Sequence, residues 1–102
     1  MSTLVKVANA DAFPPGHATC CEVLGQRIAL FNVEGTFYAI NDVCPHSGGP
    51  LSEGFVKGTT VTCPWHGAAF NLATGMVLLP PARLGVRCYK VVIEGNDIQV
   101  EI

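Results

Sequence analysis

The 102-residue sequence predicts an antiparallel all-β domain, and three observations carry that expectation. Short runs rich in β-branched and aromatic residues, separated by turn dipeptides, fill the chain before residue 42 and after residue 84. No segment sustains a 3.6-residue apolar period long enough for a substantial helix. The stretch between, residues 42 to 81, holds six of the eleven glycines and most of the seven prolines, and reads as an insertion built largely of loops.

Taken in order, Leu4 to Val7 is expected as an edge strand, and Asn9 to Phe13 as one helical turn ahead of Pro14-Pro15-Gly16. Thr19 to Leu24 then turns at Gly25-Gln26 into Arg27 to Val33, and Glu34-Gly35 leads into Thr36 to Ile40, a meander of three strands. At the far end Val86 to Ile93 turns through Glu94-Gly95-Asn96-Asp97 into Ile98 to Ile102, a second hairpin. A loop-rich insertion of this length inside a single compact domain, here taken as residues 1 to 102, needs something besides strand pairing to hold it. Ligation of a cofactor would supply it.

Composition narrows the function. With 49% hydrophobic and 14% charged residues the chain has the profile of a folded domain, not of a disordered segment. Its formal charge is −2, and the basic residues Lys6, Arg27, Lys57, Arg83, Arg87 and Lys90 are scattered, which argues against nucleic acid or an anionic membrane as partner. Neither a secretory leader nor an apolar run near the ~18 residues of a membrane span is present, so the expected location is the cytoplasm. Thiols stay reduced there, and five cysteines, an odd count, point to metal binding or catalysis over disulfides.

Two of those cysteines stand in related settings. Cys44-Pro45-His46 is followed, after sixteen residues, by Cys63-Pro64-Trp65-His66. Each loop offers one thiolate and one imidazole, and two such loops brought together can hold a binuclear iron–sulfide cluster from both sides. Replacing two thiolates by neutral imidazoles removes two negative charges, so such a centre is easier to reduce than an all-cysteine one; the range is about −150 to +300 mV. Two Cys and two His also suit tetrahedral zinc, which remains the rival reading of the four residues taken alone.

The segments CPHSGGPL and CPWHGAAFNLATG resemble the two cluster-binding loops of Rieske proteins, and the flanking strand runs match that family's fold, a sandwich or barrel-like base of three small sheets with an inserted cluster-binding subdomain, about residues 42 to 81 here. The resemblance implies one 2Fe-2S cluster, with Cys44 and Cys63 on one iron and His46 and His66 on the other. It also implies a covering loop at Pro80-Pro81, and Gly48 and Gly49 letting backbone N–H groups approach the sulfurs. The family's high-potential branch has an inter-loop disulfide and hydroxyls aimed at cluster sulfurs. The matching positions here are Gly49 and Trp65, and Ala68 and Phe70. No disulfide is expected, and the missing hydrogen bonds place the potential at the lower end of the Rieske range.

With all four ligand positions filled by protein, such a site leaves no coordination open for substrate, and no acid, base or nucleophile constellation appears elsewhere. Electron transfer is the function it permits, so the chain is read as a carrier and not as an enzyme. The resemblance implies a ferredoxin component of an aromatic-ring dioxygenase system, monomeric by itself, taking electrons from a flavin-dependent NAD(P)H reductase and passing them to a terminal Rieske oxygenase. The alternative is the small Rieske-like subunit of an assimilatory nitrite reductase. Among the remaining residues, Cys20 and Cys21 are adjacent in a strand and face opposite sides, and with Cys88 they are expected to be small apolar fillers. His17 is expected at the surface. Trp65 is equally a docking or a packing residue, and Arg83, Arg87 and Lys90 suit either an acidic partner or a solvated strand face.

Overall fold

In the computed structural model, residues 3–45, 48–65, 67–79 and 85–102 are described. Their strands are β1 (Leu4–Asn9), β2 (Ala18–Val23), β3 (Gln26–Val33), β4 (Thr36–Asn41), β5 (Phe55–Lys57), β6 (Thr60–Thr62), β7 (Ala69–Asn71), β8 (Val77–Leu79), β9 (Cys88–Tyr89), β10 (Val91–Glu94) and β11 (Asp97–Glu101). They form three antiparallel sheets, ordered β1-β11-β10, β2-β3-β4-β9 and β5-β6-β7-β8. Short 3-10 turns at Ala10–Ala12 and Leu51–Glu53 are the helical elements among the described residues.

The middle sheet is covered on both faces, and the sequence of β3 explains how. Ile28 to Asn32 is buried without interruption, the signature of a strand with packing on each side. Because successive side chains alternate, Ile28 and Leu30 join Phe13, Ala39, Tyr89, Ile98 and Val100 on one face. Ala29 and Phe31 join Ile40, Leu51, Val61, Phe70 and Leu72 on the other. The terminal sheet thus packs on one face and the β5–β8 sheet on the opposite one. Burial of each such side chain contributes roughly 1.5–3 kcal/mol. Asn32, the polar residue in that run, is satisfied: its Nδ2 donates to the Phe13 carbonyl at 2.7 Å and its Oδ1 accepts from the Gly35 amide at 2.8 Å.

The hairpins foreseen around β2, β3 and β4 are present, with one turn shifted by a residue. Val23 pairs with Gln26, so the turn is Leu24-Gly25, with φ of 50° and 80°, and not Gly25-Gln26. Glu34-Gly35, with φ of 53° and 91°, makes the second two-residue turn. Both have the left-handed geometry that matches strand twist, and glycine in second place keeps the strain to one residue per turn.

One expectation is corrected and another is sharpened. The run Val86 to Ile93 is not one strand: it breaks at Lys90, with β9 on the edge of the middle sheet and β10 beside β11. Side-chain alternation continues across the break, so the change of sheet left no mark in the pattern. The stretch from residue 42 to 81 is loop-rich as expected, but it also carries all four strands of the third sheet, which the sequence did not mark. Each is only three residues long, too short to show a period of two.

Candidate metal centre

Both cysteine loops open from strand ends. The first leaves β4 and returns at Leu51–Glu53, while the second is the connection between β6 and β7. They close alike. The Cys44 amide donates to the Gly49 carbonyl at 2.9 Å, and the Cys63 amide donates to the Ala68 carbonyl at 2.7 Å, each reaching five residues ahead. In each loop the residue before that acceptor is a glycine, Gly48 or Gly67, with φ of 77°. A side chain there would be strained, so the sharp return of each loop depends on glycine.

Cys44 and Cys63 are 1% and 2% exposed and belong to the same apolar cluster, with Leu51, Val61, Ala68 and Phe70 around them. The loops meet at Gly49. A Cβ built on it would lie 3.0 Å from the Trp65 ring and 3.1 Å from Cys63 Sγ, so any side chain there would crowd the ring and the sulfur, and glycine lets the first loop lie this close to the second. The Gly48 N–H donates to the Cys44 carbonyl at 2.8 Å and so braces its own loop. Trp65 is half-exposed, at 50%, with its ring over Gly49, and so combines packing with a solvent face. Ala68 and Phe70 are fully buried.

His46 and His66 lie outside the described residues, as do Pro80, Pro81 and Arg83. Among the described residues no three His, Cys, Asp or Glu side chains converge as a metal site. The two buried thiols nonetheless fit an iron–sulfur group, because sulfur donors in an apolar, water-poor pocket with backbone packed against them are the donor set that cluster requires. Among the described residues no disulfide joins these loops.

The other thiols depart from expectation. Cys20 and Cys88 are exposed and not fillers; only Cys21 packs against the apolar interior. Burial, the largest influence on each, pushes all three thiols above the ordinary value of 9.0. His17 is at the surface as expected, edge-on to Phe13. Arg87 is laid over the Tyr89 ring at 4.7 Å, which occupies one of the three cations considered for an acidic partner.

One residue at the site was not singled out from the sequence. Asp42, at the root of the first loop, is fully buried, yet its carboxylate accepts from Arg27 Nη2 at 3.1 Å and from the Ser52 amide at 2.8 Å. Its bonding partners lie 15 and 10 residues away, and no local pattern marks such contacts.

Residues 3–90 match the Rieske [2Fe-2S] domain. The chain belongs to the Rieske family. A Rieske domain carries a single Rieske-type 2Fe-2S cluster, and the three-sheet architecture is the Rieske fold. Over 100 residues, 97% of this chain and 92% of the relative, the sequence is 38% identical to the biphenyl dioxygenase ferredoxin subunit of Pseudomonas sp. (strain KKS102). A chain in the complex of reduced oxygenase and oxidized ferredoxin of carbazole 1,9a-dioxygenase superposes with a TM-score of 0.89 at 33% identity, over 95% of this Rieske chain and 91% of that one. A putative NADH-dependent nitrite reductase small subunit from Mycobacterium tuberculosis superposes with a TM-score of 0.91 at 27% identity, over 100% and 96% of the two chains.

Proposed function

We propose that this protein is a ferredoxin, a one-electron carrier serving a dioxygenase system, with Cys44 and Cys63 binding one iron of its cluster and His46 and His66 the other. The observation that carries the reading is the meeting of the two loops, where Gly49 lies against Cys63 Sγ and both thiols are buried in one apolar pocket. A bound 2Fe-2S cluster supplies a reversible one-electron couple. The chain's own contribution is to hold the sulfur donors and to exclude water with Leu51, Phe70 and Leu72. Residues of about 42 to 81 form the cluster-binding unit on a base made by the other two sheets.

The donor on this reading is a flavin-dependent NAD(P)H reductase and the acceptor a terminal oxygenase; the likeness to dioxygenase ferredoxins, one of them in complex with its oxygenase, supports the acceptor. The carrier works as a cytoplasmic monomer. Among the described residues no helix is long and apolar enough to cross a membrane. Ala68 and Phe70 offer no hydroxyl to the cluster sulfurs, which favours a potential at the lower end of the Rieske range.

An EPR spectrum of the dithionite-reduced protein tests the ligand set. An average g below that of all-cysteine clusters is expected; an EPR-silent protein holding zinc would end the reading. A redox titration tests the low potential, and a midpoint well above the hydrogen electrode would refute it. The second reading, a nitrite reductase small subunit, is favoured by the structural likeness at 27% identity. Stable co-purification with a sirohaem protein would select it over a free carrier.

A further inference from the structure

Among the described residues, the first cysteine loop has no strand ladder like the one that supports the second. There its two arms share one isolated bridge beyond Asn41, Val43 to Pro50, and Pro50 has no N–H with which to extend it. Asp42 stands where the ladder is missing. Its amide donates to the Arg27 carbonyl at 2.9 Å and its carbonyl accepts from the Leu51 amide at 2.7 Å, while its carboxylate takes the Ser52 amide and the Arg27 guanidinium. Four bonds from one buried residue join both ends of the loop to the start of β3.

We infer that Asp42, neutralised by Arg27, is a positioning residue that holds Cys44 in place and sets the charge balance felt by the cluster. The inference rests on the reading of Cys44 as a ligand. The physical argument is one of asymmetry. Asp42 is wholly out of water, whereas the Arg27 side chain is 54% exposed. A buried carboxylate is tolerated only while paired and hydrogen-bonded, so the exposed arginine acts on the loop through the buried acid. Glu22, directly across the β2–β3 pair from Arg27, and the Cys20 thiol beside the two groups complete the polar surroundings. Asp42 lies two positions before Cys44, and a negative charge held there opposes the extra negative charge that reduction adds.

The two partners therefore act on the potential with opposite signs. Arg27→Ala removes a positive charge and leaves an unpaired carboxylate. The holoprotein should lose its visible absorbance about tenfold faster or more under mild chelation, and its midpoint potential should fall. Asp42→Asn keeps an oxygen for the Ser52 amide and removes the negative charge, so the potential should rise. Combining the two changes should return both cluster retention and potential toward the parent values, because an uncharged Asn needs no counter-ion.

Arg27→Ala leaves the buried acid without its counter-ion, so circular dichroism checks that the variant is folded, and the double variant, which has no charge left unpaired, carries the test if it is not. Arg27→Ala behaving like the parent overturns the inference. So does a loss that Asp42→Asn fails to repair, since Arg27 would then act on its own and not through Asp42. A parent protein without a Rieske EPR signal would instead overturn the ligand assignment, and is read before any variant is made.

Discussion

The two cysteine loops close in the same way and are anchored differently. Each has a cysteine amide bonded five residues ahead and a left-handed glycine before the acceptor. The second loop grows out of a hairpin in which Thr62 faces Ala69, Val61 faces Phe70 and Thr60 faces Asn71, so its base is a run of strand pairs. The first, among the described residues, has one isolated bridge, a 3-10 turn and the bonds of Asp42. One fold has thus presented two like donor loops from unlike supports, backbone ladder in one case and a polar clamp over an apolar plug in the other. The difference teaches which substitutions each loop tolerates.

The largest effect should come from the donors themselves. Cys44→Ala or Cys63→Ala is expected to abolish the visible absorbance of the cluster, and a coloured Cys63→Ala protein would remove that residue from the ligand set. The cluster-free protein also separates the supports. Amide exchange at Cys63 should stay slow because the β6–β7 ladder persists, while exchange at Cys44 should quicken markedly. Equal exchange at both would contradict the comparison.

Next in size is the plug beneath the first loop. Leu51 is fully buried in the cluster of side chains that holds both cysteines. Leu51→Ala should cost about 2–5 kcal/mol in urea unfolding, the usual range for a buried leucine. It should also speed cluster loss. Val61→Ala, on β6 below the second loop, removes fewer methyl groups from a strand still held by its ladder, and should affect both measurements less.

Where the loops touch, Gly49→Ala is expected to cost about 1–3 kcal/mol, because the new methyl meets both the Trp65 ring and Cys63 Sγ. The single tryptophan reports the displacement through its emission. Adding Trp65→Ala should recover part of the loss by freeing one of the two contacts. No recovery would mean that the sulfur contact dominates.

The sequence shows these two supports unequally. Donor loops were legible because Cys44-Pro45-His46 and Cys63-Pro64-Trp65-His66 are local patterns, and the terminal hairpins because Glu34-Gly35 and Gly95-Asn96 are turn dipeptides between alternating runs. Strands β5 to β8 were not, since three residues carry no period, and the break at Lys90 preserved the alternation that would have revealed it. The Asp42–Arg27 pair spans 15 residues and depends on how β3 and β4 register, information that exists only once the sheet has formed. Exposure of Cys20 and Cys88 was misjudged for a related reason: composition says that cysteine is usually buried, but only topology says which strand face is covered.

The smallest expected effect concerns the thiols outside the loops. Cys21 lies on β2, packed against the interior below the middle sheet, and its burial, followed by the neighbouring Cys20, pushes its pKa above 9.0. A thiol held neutral in the fold keeps its proton after the same thiol in the unfolded chain, at the ordinary value of 9.0, has released it. Above that pH the unfolded state binds fewer protons than the native one, so stability is present below the unfolded value and declines as pH rises through the raised native one. Cys21→Ser removes that titration. Unfolding free energy measured from neutral pH into the alkaline range should therefore fall less steeply in the variant than in the parent. The Cys20 and Cys88 thiols are raised as well, so an unchanged slope in Cys21→Ser would place the alkaline loss in groups other than Cys21.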